Sequence, residues 1–399
     1  MALPSSAGTP GRKSLRKIQV ALESTPGTEA TSGFKVLRVP GGVLSDDRQV
    51  TMVEEMVGII PGTDRSYIAA ATSSISIDSS PITPQQWPVL MAAALGFDQT
   101  YGPSGGTTRA TPTTGELDAA TAGVGVGYRY TTTFPTTSAP YYNNAYTFQA
   151  GDDFEQEIMT YGKCTGLSVG GSSQGPITMQ GSFIGQYTRP KSPVGFTSAA
   201  LVNPVEDLIF ARSALYLDDV SATPFTPTPP ATTYPAVLAT FLGFDISIEC
   251  SWVPKFTGQG STATATSVPT WEFALWTRYA VSGSFTIEHN NWSSGLNNGL
   301  KQKWRDQTTL MMRIDCIGSQ SLSTTGSTLT PAAPLFPTGT ANTSFTGVRF
   351  EMPIKITQVS PLSDNDGNDI VTVSWVGRYN SVYAGAGYTT TANSTSVLF

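Results

Sequence analysis

A chain of 399 residues has room for two or three domains and needs no disulfide or metal staple to close a core. Charged residues make up only 13% of it, about half the usual share of roughly a quarter, whereas Gly and Pro number 39 and 28. Polarity therefore resides in hydroxyls and turns, as in an all-β chain with long loops, and a hydrophobic content of 39% excludes wholesale disorder. The net charge of −6 offers no basic groove, which excludes a protein that grips phosphates tightly and fits a surface past which anionic polymers slide.

The chain begins with a Ser/Gly/Pro-rich arm and a basic cluster, Arg12, Lys13, Arg16 and Lys17. This cluster reads either as a solvated tail or as an arm that reaches an acidic patch on a neighbouring subunit. The opening lacks the apolar run of a secretory signal, and no stretch reaches the about 18 apolar residues of a membrane helix. Folding in a cytoplasm without membrane insertion is expected.

Strand-like runs follow at 18–22 and 34–39, then extended segments at 49–60 and 65–70. Residues 73–78 alternate, with Ile75 and Ile77 against Ser74, Ser76 and Asp78, which predicts a strand. Thr83 is a fitting N-cap with Pro84 at the first helical position, so a short helix is expected up to Leu95, closed by Gly96. Residues 100–127 are Gly/Thr/Ala-rich and read as a long loop. Strands are expected again at 127–134, 145–149, 154–161, 164–169 and 177–187. In the third of these, Asp153, Glu155 and Glu157 share a face, a candidate solvated or lumen-facing acidic strand.

A second round begins after 190–203. Extended segments are expected at 207–217 and 244–253, where Phe244, Ile246, Ile248 and Cys250 share a face, and at 272–277 and 283–288. A second Trp-bearing helix is predicted over 293–305, a strand over 310–317, and a Thr/Ser/Pro loop over 318–347. Strands at 348–358 and 370–379 form a closing hairpin across an Asp/Gly-rich turn. The two rounds share their order of events and end alike, Ser182-Phe-Ile-Gly-Gln-Tyr against Ser374-Trp-Val-Gly-Arg-Tyr, close to half a chain apart. The order predicts a divergent tandem duplication with units 1–200 and 201–399; the alternative is two β domains converging on one pattern.

Residues for chemistry are scarce. His289 is the single histidine, in a stretch that reads as turn and capping chemistry, so a Ser–His–Asp or Cys–His site would rest on it alone. Three separated cysteines, Cys164, Cys250 and Cys316, have no metal-ligand spacing and read as small buried hydrophobes. Acid pairs such as Asp152/Asp153, Glu54/Glu55 and Asp218/Asp219 read as solvated faces rather than hydrolytic pairs. The run from Asp364 to Asp369 fails the EF-hand pattern, because Leu362 and Val373 would stand at the first and last ligand positions. No catalytic residue, cofactor or metal is expected.

Two segments of the first half carry a resemblance. Arg16-Lys-Ile-Gln-Val-Ala-Leu-Glu-Ser-Thr-Pro-Gly-Thr-Glu-Ala resembles the opening of the major tail (tail tube) proteins of long-tailed, siphovirus-type bacteriophages, and Asp46-Asp47-Arg48 with Gly58-Ile-Ile-Pro-Gly-Thr-Asp-Arg-Ser-Tyr resembles that family's next segment. Ala211-Arg-Ser-Ala-Leu-Tyr-Leu-Asp-Asp, Leu242-Gly-Phe-Asp-Ile-Ser-Ile-Glu and Val281-Ser-Gly-Ser-Phe-Thr-Ile-Glu are similar to that family's strand order. The resemblance implies an all-β fold with a few short helices, in which two tandem tail-tube-type β-sandwich domains join neighbours into an inter-subunit β-barrel. Trimeric, pseudo-hexameric rings, with hexamers as the runner-up, would stack into a non-contractile tube in the virion. That tube would be assembled in the host cytoplasm around the tape-measure protein and would meet the tail terminator and distal tail proteins. Genomic DNA would pass its lumen without specific binding, and Arg12, Lys13, Arg16 and Lys17 would be the inter-ring arm. The competing class is a phage tailspike-like or carbohydrate-binding surface β-protein.

Overall fold

The computed structural model describes residues 13–58, 62, 64–95, 128–134, 145–152, 155–191, 196, 200–201, 206–220, 241–256, 269–290, 293–294, 299–323, 343–382 and 386–393. After one 3-10 turn come β1 (Lys17–Leu22), β2 (Lys35–Leu37), a long hairpin of β3 (Gly41–Met52) and β4 (Ser66–Pro81), and helix α1 (Trp87–Leu95). β5 (Tyr128–Thr133), β6 (Tyr146–Gly151), β7 (Gln156–Ser172), β8 (Thr178–Gly185) and β9 (Thr188–Pro190) complete the first half. The second half holds β10 (Ala200–Leu201), β11 (Ser213–Asp219), β12 (Phe241–Lys255), β13 (Phe273–Glu288), α2 (Leu300–Arg305), β14 (Thr309–Ser323) and β15 (Thr343–Val359). It closes with β16 (Ser363–Asn365), β17 (Asn368–Gly377) and β18 (Tyr388–Asn393).

The chain is mostly β, and the strand pairings are antiparallel except for the short β2–β10 pair. One layer runs β10–β2–β1–β6–β7–β9. A longer layer runs β3–β4–β8–β7–β12–β13–β17–β15, with β14 and β11 beyond β15 and with β18 and β5 joined to the N-terminal half of β15. Apolar residues on the inward faces of both halves form one continuous buried cluster. Phe148 of β6 meets Phe183 of β8 across the layers at 4.8 Å between ring centroids. Helix α1 is buried on all sides, as expected of a helix apolar on every face, and Thr83 Oγ1 accepts from the Gln86 amide at its start.

β7 belongs to both layers because it bends at one place. Tyr161 takes φ 57°, a left-handed conformation that costs a bulky residue free energy and persists only when its surroundings dictate it. The buried carboxylate of Glu23 supplies that constraint: it accepts from the amides of Tyr161 (2.8 Å) and Gly27 (2.7 Å) and from Thr147 Oγ1 (2.9 Å). At the adjoining Gly162 a Cβ would lie 2.7 Å from the Tyr146 carbonyl, so only glycine fits the bend. Trp271 closes over it, edge-on to Tyr161 at 4.5 Å, its indole N–H donating to the Gly185 carbonyl at 3.0 Å.

The pairing scheme of the first half recurs in the second. β1–β6, β3–β4, β4–β8, β6–β7, β7–β8 and β7–β9 have counterparts in β11–β14, β12–β13, β13–β17, β14–β15, β15–β17 and β15–β18. Helix α1 packs on β7 as α2 packs on β15. Even the irregularities correspond: the ladder shifts between Cys164 and Gly166 in β7 and between Ile356 and Gln358 in β15. The similar motifs noted in the sequence fall on β8 and β17, where Phe183 stands opposite Cys164 and Trp375 opposite Ile356. A direct seam joins the halves, β12 pairing with β7 from Gly243↔Ser172 to Glu249↔Gly166.

Several expected elements are longer than the sequence pattern implied. The segments 65–70 and 73–78 are one strand, β4; 154–161 and 164–169 are one strand, β7; 272–277 and 283–288 are one strand, β13. The second helix is confined to Leu300–Arg305, with Ser293 engaged in a turn with Asn290. Of the expected 318–347 loop, 318–323 extend β14 and 343–347 open β15. The expected loop 100–127 lies outside the described residues.

Lys163 follows the bend, buried, with its ammonium 4.5 Å from the Trp252 ring centroid and 5.5 Å from that of Tyr161. Burial lowers its pKa to about 7, opposed by the charge of Glu23. The unfolded chain therefore binds more protons between pH 7 and 10.5, and the charge penalty, full below pH 7, fades as pH rises. Relative to the parent, Lys163→Met is expected to gain stability at pH 6 and to lose that advantage progressively toward pH 10, read as the difference in Tm across a pH series.

Candidate functional site: a hydroxyl-lined sheet face and two open edges

Alternation along the long sheet fixes what each face carries. Inward stand Ile75, Ile77, Phe183, Leu167, Val169, Ile246, Ile248, Phe285, Val373 and Trp375, all buried. On the other face Ser76 and Asp78 of β4, Gln180 and Ser182 of β8, Ser168 of β7, and Ser247 and Glu249 of β12 line a groove of about 490 Å³. None of its lining residues is Lys, Arg or His. The hydroxyl surface continues over β13 and β17, where Ser284 pairs with Ser374 and the Thr286 and Thr372 hydroxyls meet at 3.0 Å. Asp245, on the same strand as Ser247 and Glu249, has its carboxyl pKa raised by burial.

Among the described residues β3 and the C-terminal part of β15 each have an edge without a strand partner, and β5, β9 and β11 likewise pair on one edge only. β3 pairs only with β4. β15 leaves its β14 partner at Thr309↔Lys355, so from Ile356 onward one of its edges faces no strand. The open ends also carry exposed apolar side chains: Val43 (60% exposed), Val50, Met52, Met56, Val57 and Tyr67 along the β3–β4 hairpin, and Leu362 (52% exposed) after β15. An uncovered edge flanked by apolar side chains is a template for pairing with another chain.

The residues singled out in the sequence lie elsewhere. Arg12 and Asp153 fall outside the described residues. Lys13 sits exposed in the opening 3-10 turn. Lys17 is no free arm residue: it begins β1 opposite Gly151, and its ammonium lies 4.2 Å from the Phe196 ring centroid. Arg16 lines a small pocket with Val43, Asp152, Glu155 and Glu157, so its acidic neighbours belong to its own chain. Of the candidate acidic strand, Glu155 and Glu157 line that pocket together, and Asp153 is outside the described residues. Glu155 precedes β7, held in a turn by its amide's hydrogen bond to Asp152 Oδ1 (3.1 Å), while Glu157 is half-buried toward Asp46 and Arg48 of β3. The carboxylates of the groove are instead Asp78 and Glu249, whose outward places were implicit in the alternation of 73–78 and 244–250. Which acids share a surface depends on the β7–β12 seam, for which no short motif exists.

The other polar residues singled out in the sequence make local contacts. His289 Nδ1 and Ser293 Oγ lie 2.7 Å apart within a turn. Glu55 pairs with Arg65 and Asp219 with Lys303. Asp364 accepts from the Gly367 amide (3.0 Å) in a tight hairpin turn with positive φ at Asp366 and Gly367. Cys164, Cys250 and Cys316 are buried free thiols. Among the described residues no group of three or more His, Cys, Asp or Glu could hold a metal ion, and no helix is long and apolar enough to cross a membrane. No protein-family description matches the chain, and no curated protein matches it.

Glu157 has its pKa raised by burial first and then by repulsion from Glu155 and Asp46, with Arg48 opposing. A carboxyl raised in the fold penalises the ionised folded state above its unfolded pKa and ceases to do so below it. Glu157→Gln is therefore expected to raise Tm at pH 8, with the gain vanishing as pH falls below 4.5 in thermal melts.

Proposed function

We propose that this chain is the repeating subunit of a bacteriophage tail tube, a structural protein without catalytic activity. Two tandem β-sandwich units per chain would form trimeric rings, pseudo-sixfold in their strands, which stack into a non-contractile conduit. The observation that carries this reading is the groove of hydroxyls and carboxylates across β4, β8, β7 and β12, which no Lys, Arg or His lines, on a sheet whose β3 and β15 each keep an edge without a strand partner among the described residues. Joining edges between copies would close the sheet into a barrel and remove the aggregation hazard of free edges. The hydroxyl face would then line the lumen. A groove lined by no Lys or Arg neutralises no phosphate there, so it releases no counterions and does not hold DNA, while its carboxylates repel it. The same surface of small polar residues suits enclosure of a tape-measure protein during assembly. The unmatched edges favour this over a discrete tailspike-like or carbohydrate-binding protein, which would bury its own edges.

Electron microscopy of the purified protein at rising concentration is expected to show rings and hollow tubes. A monodisperse particle that forms no tube, alone or with virion partners, would sink the proposal. Introducing cations by Ser168→Lys together with Ser247→Lys is expected to leave tubes intact. The variant tubes should retain double-stranded DNA that parent tubes release, with the retention lost on raising salt from 50 to 200 mM, read by co-sedimentation.

A further inference from the structure

We propose that copies of this chain join through one specific antiparallel register, β3 of one copy against the end of β15 of the next. This inference rests on the self-assembling reading above. The seam inside the chain supplies the template. β12 and β7 are paired from Gly243↔Ser172 to Glu249↔Gly166, with Ser247↔Ser168 at the centre. The counterpart of β12 is β3: Ile246 and Ser247 stand opposite Gly283 and Ser282, as Leu44 and Ser45 stand opposite Ile75 and Ser74. The counterpart of β7 is β15: Lys163 and Cys164 stand opposite Ile184 and Phe183, as Lys355 and Ile356 stand opposite Val376 and Trp375. In the second half the β7 counterpart keeps its outer edge open, and in the first half the β12 counterpart does the same. A chain that carries one seam and both halves of another is complementary to itself head to tail.

Transferring the internal register sets Ser45 opposite Ser360 and Asp47 opposite Gln358, with Leu44 opposite Pro361. Two observations that did not enter the transfer agree with it. First, continuing the register past the end of β15 and into the irregular stretch of β3 between Gly41 and Leu44 brings Val43 beside Leu362, which are 60% and 52% exposed in the single chain. Cross-strand contact buries both. Second, the Ser360 amide donates to the Thr372 carbonyl (2.9 Å), toward β17, so the next amide outward belongs to position 361. That residue is Pro361, which has no donor. The free ladder is thereby kept short, as on edges protected against indiscriminate growth. The same geometry makes Ser360 and Gln358 non-hydrogen-bonded positions on the open edge, where opposed Cα atoms approach to about 4.5 Å, within disulfide range.

The test uses the full-length chain carrying Asp47→Cys and Gln358→Cys. Copper-phenanthroline oxidation is followed by non-reducing electrophoresis, with microscopy of the same samples. A covalent ladder between copies is expected, and none from either single variant. Asp47→Cys with Leu362→Cys, four residues or about 13 Å out of register, is expected to give none. Tubes that form without the Asp47–Gln358 cross-link, or that cross-link as well through Leu362, overturn the register while leaving the tube reading standing. Cross-linked rings that never stack support the register and sink the tube. Absence of both rings and cross-links overturns both. A second measurement avoids cysteine: Val43→Lys is expected to slow assembly at least tenfold, and Val43→Lys with Leu362→Asp to restore it. Failure of that restoration in a folded variant counts against the register.

Discussion

Glu23 holds the bend on which the architecture turns. Three hydrogen bonds converge on its carboxylate, from Tyr161, Gly27 and Thr147, and they fix the backbone of β7 in a left-handed step. Without that step β7 would run straight in one layer. With it, the strand pairs β6 and β9 before the bend and β8 and β12 after it, so one strand links both layers and both halves. The buried Lys163 next to it shows how much constraint the region bears, since a charge is kept there between aromatic rings and a buried carboxylate at a cost in solvation.

The sheet that results has two different faces made from one alternating pattern. Branched and aromatic residues fill the inward face, whereas Ser, Thr, Gly, Gln and a few acids occupy the outward one. Such short side chains leave a smooth surface and give little reason for a ligand to dwell. The margins differ: β3 and the end of β15 each have an edge without a strand partner among the described residues, beside the exposed side chains of Val43 and Leu362.

Much of this was legible in the sequence. The alternation of Ile75 and Ile77 and of Phe244 to Cys250 located β4 and β12, and the matched motifs at 182–187 and 374–379 located β8 and β17. Legibility failed where local composition and tertiary role diverge. β4 was divided because Ala69, Ala70, Ala71 and Thr72 carry little hydrophobic signal, and β7 because Gly162 and Lys163 read as a break although both lie in a buried strand. The carboxylates of the groove were not legible for a related reason. Asp153, Glu155 and Glu157 are adjacent in sequence, whereas Asp78 and Glu249 become neighbours only through long-range pairing. The end of β3 carries no sequence mark of being open, and the end of β15 carries only Pro361. Only the completed pairing scheme reveals what each strand lacks.

β5 comes from the first half yet pairs along its whole length with β18 of the second, from Tyr128↔Asn393 to Thr133↔Tyr388. Phe134 continues the attachment by stacking on Tyr279, 5.7 Å between centroids. The halves are thus joined by two long ladders, this one and the β7–β12 seam, beside the short β2–β10 pair. In mechanical terms the two ladders act as springs in parallel: a load that parts the halves is shared between them, and neither can open like a hinge while the other holds. A subunit braced in this way transmits torque and tension rather than absorbing them, so bending of an assembly built from it would be concentrated at the contacts between copies.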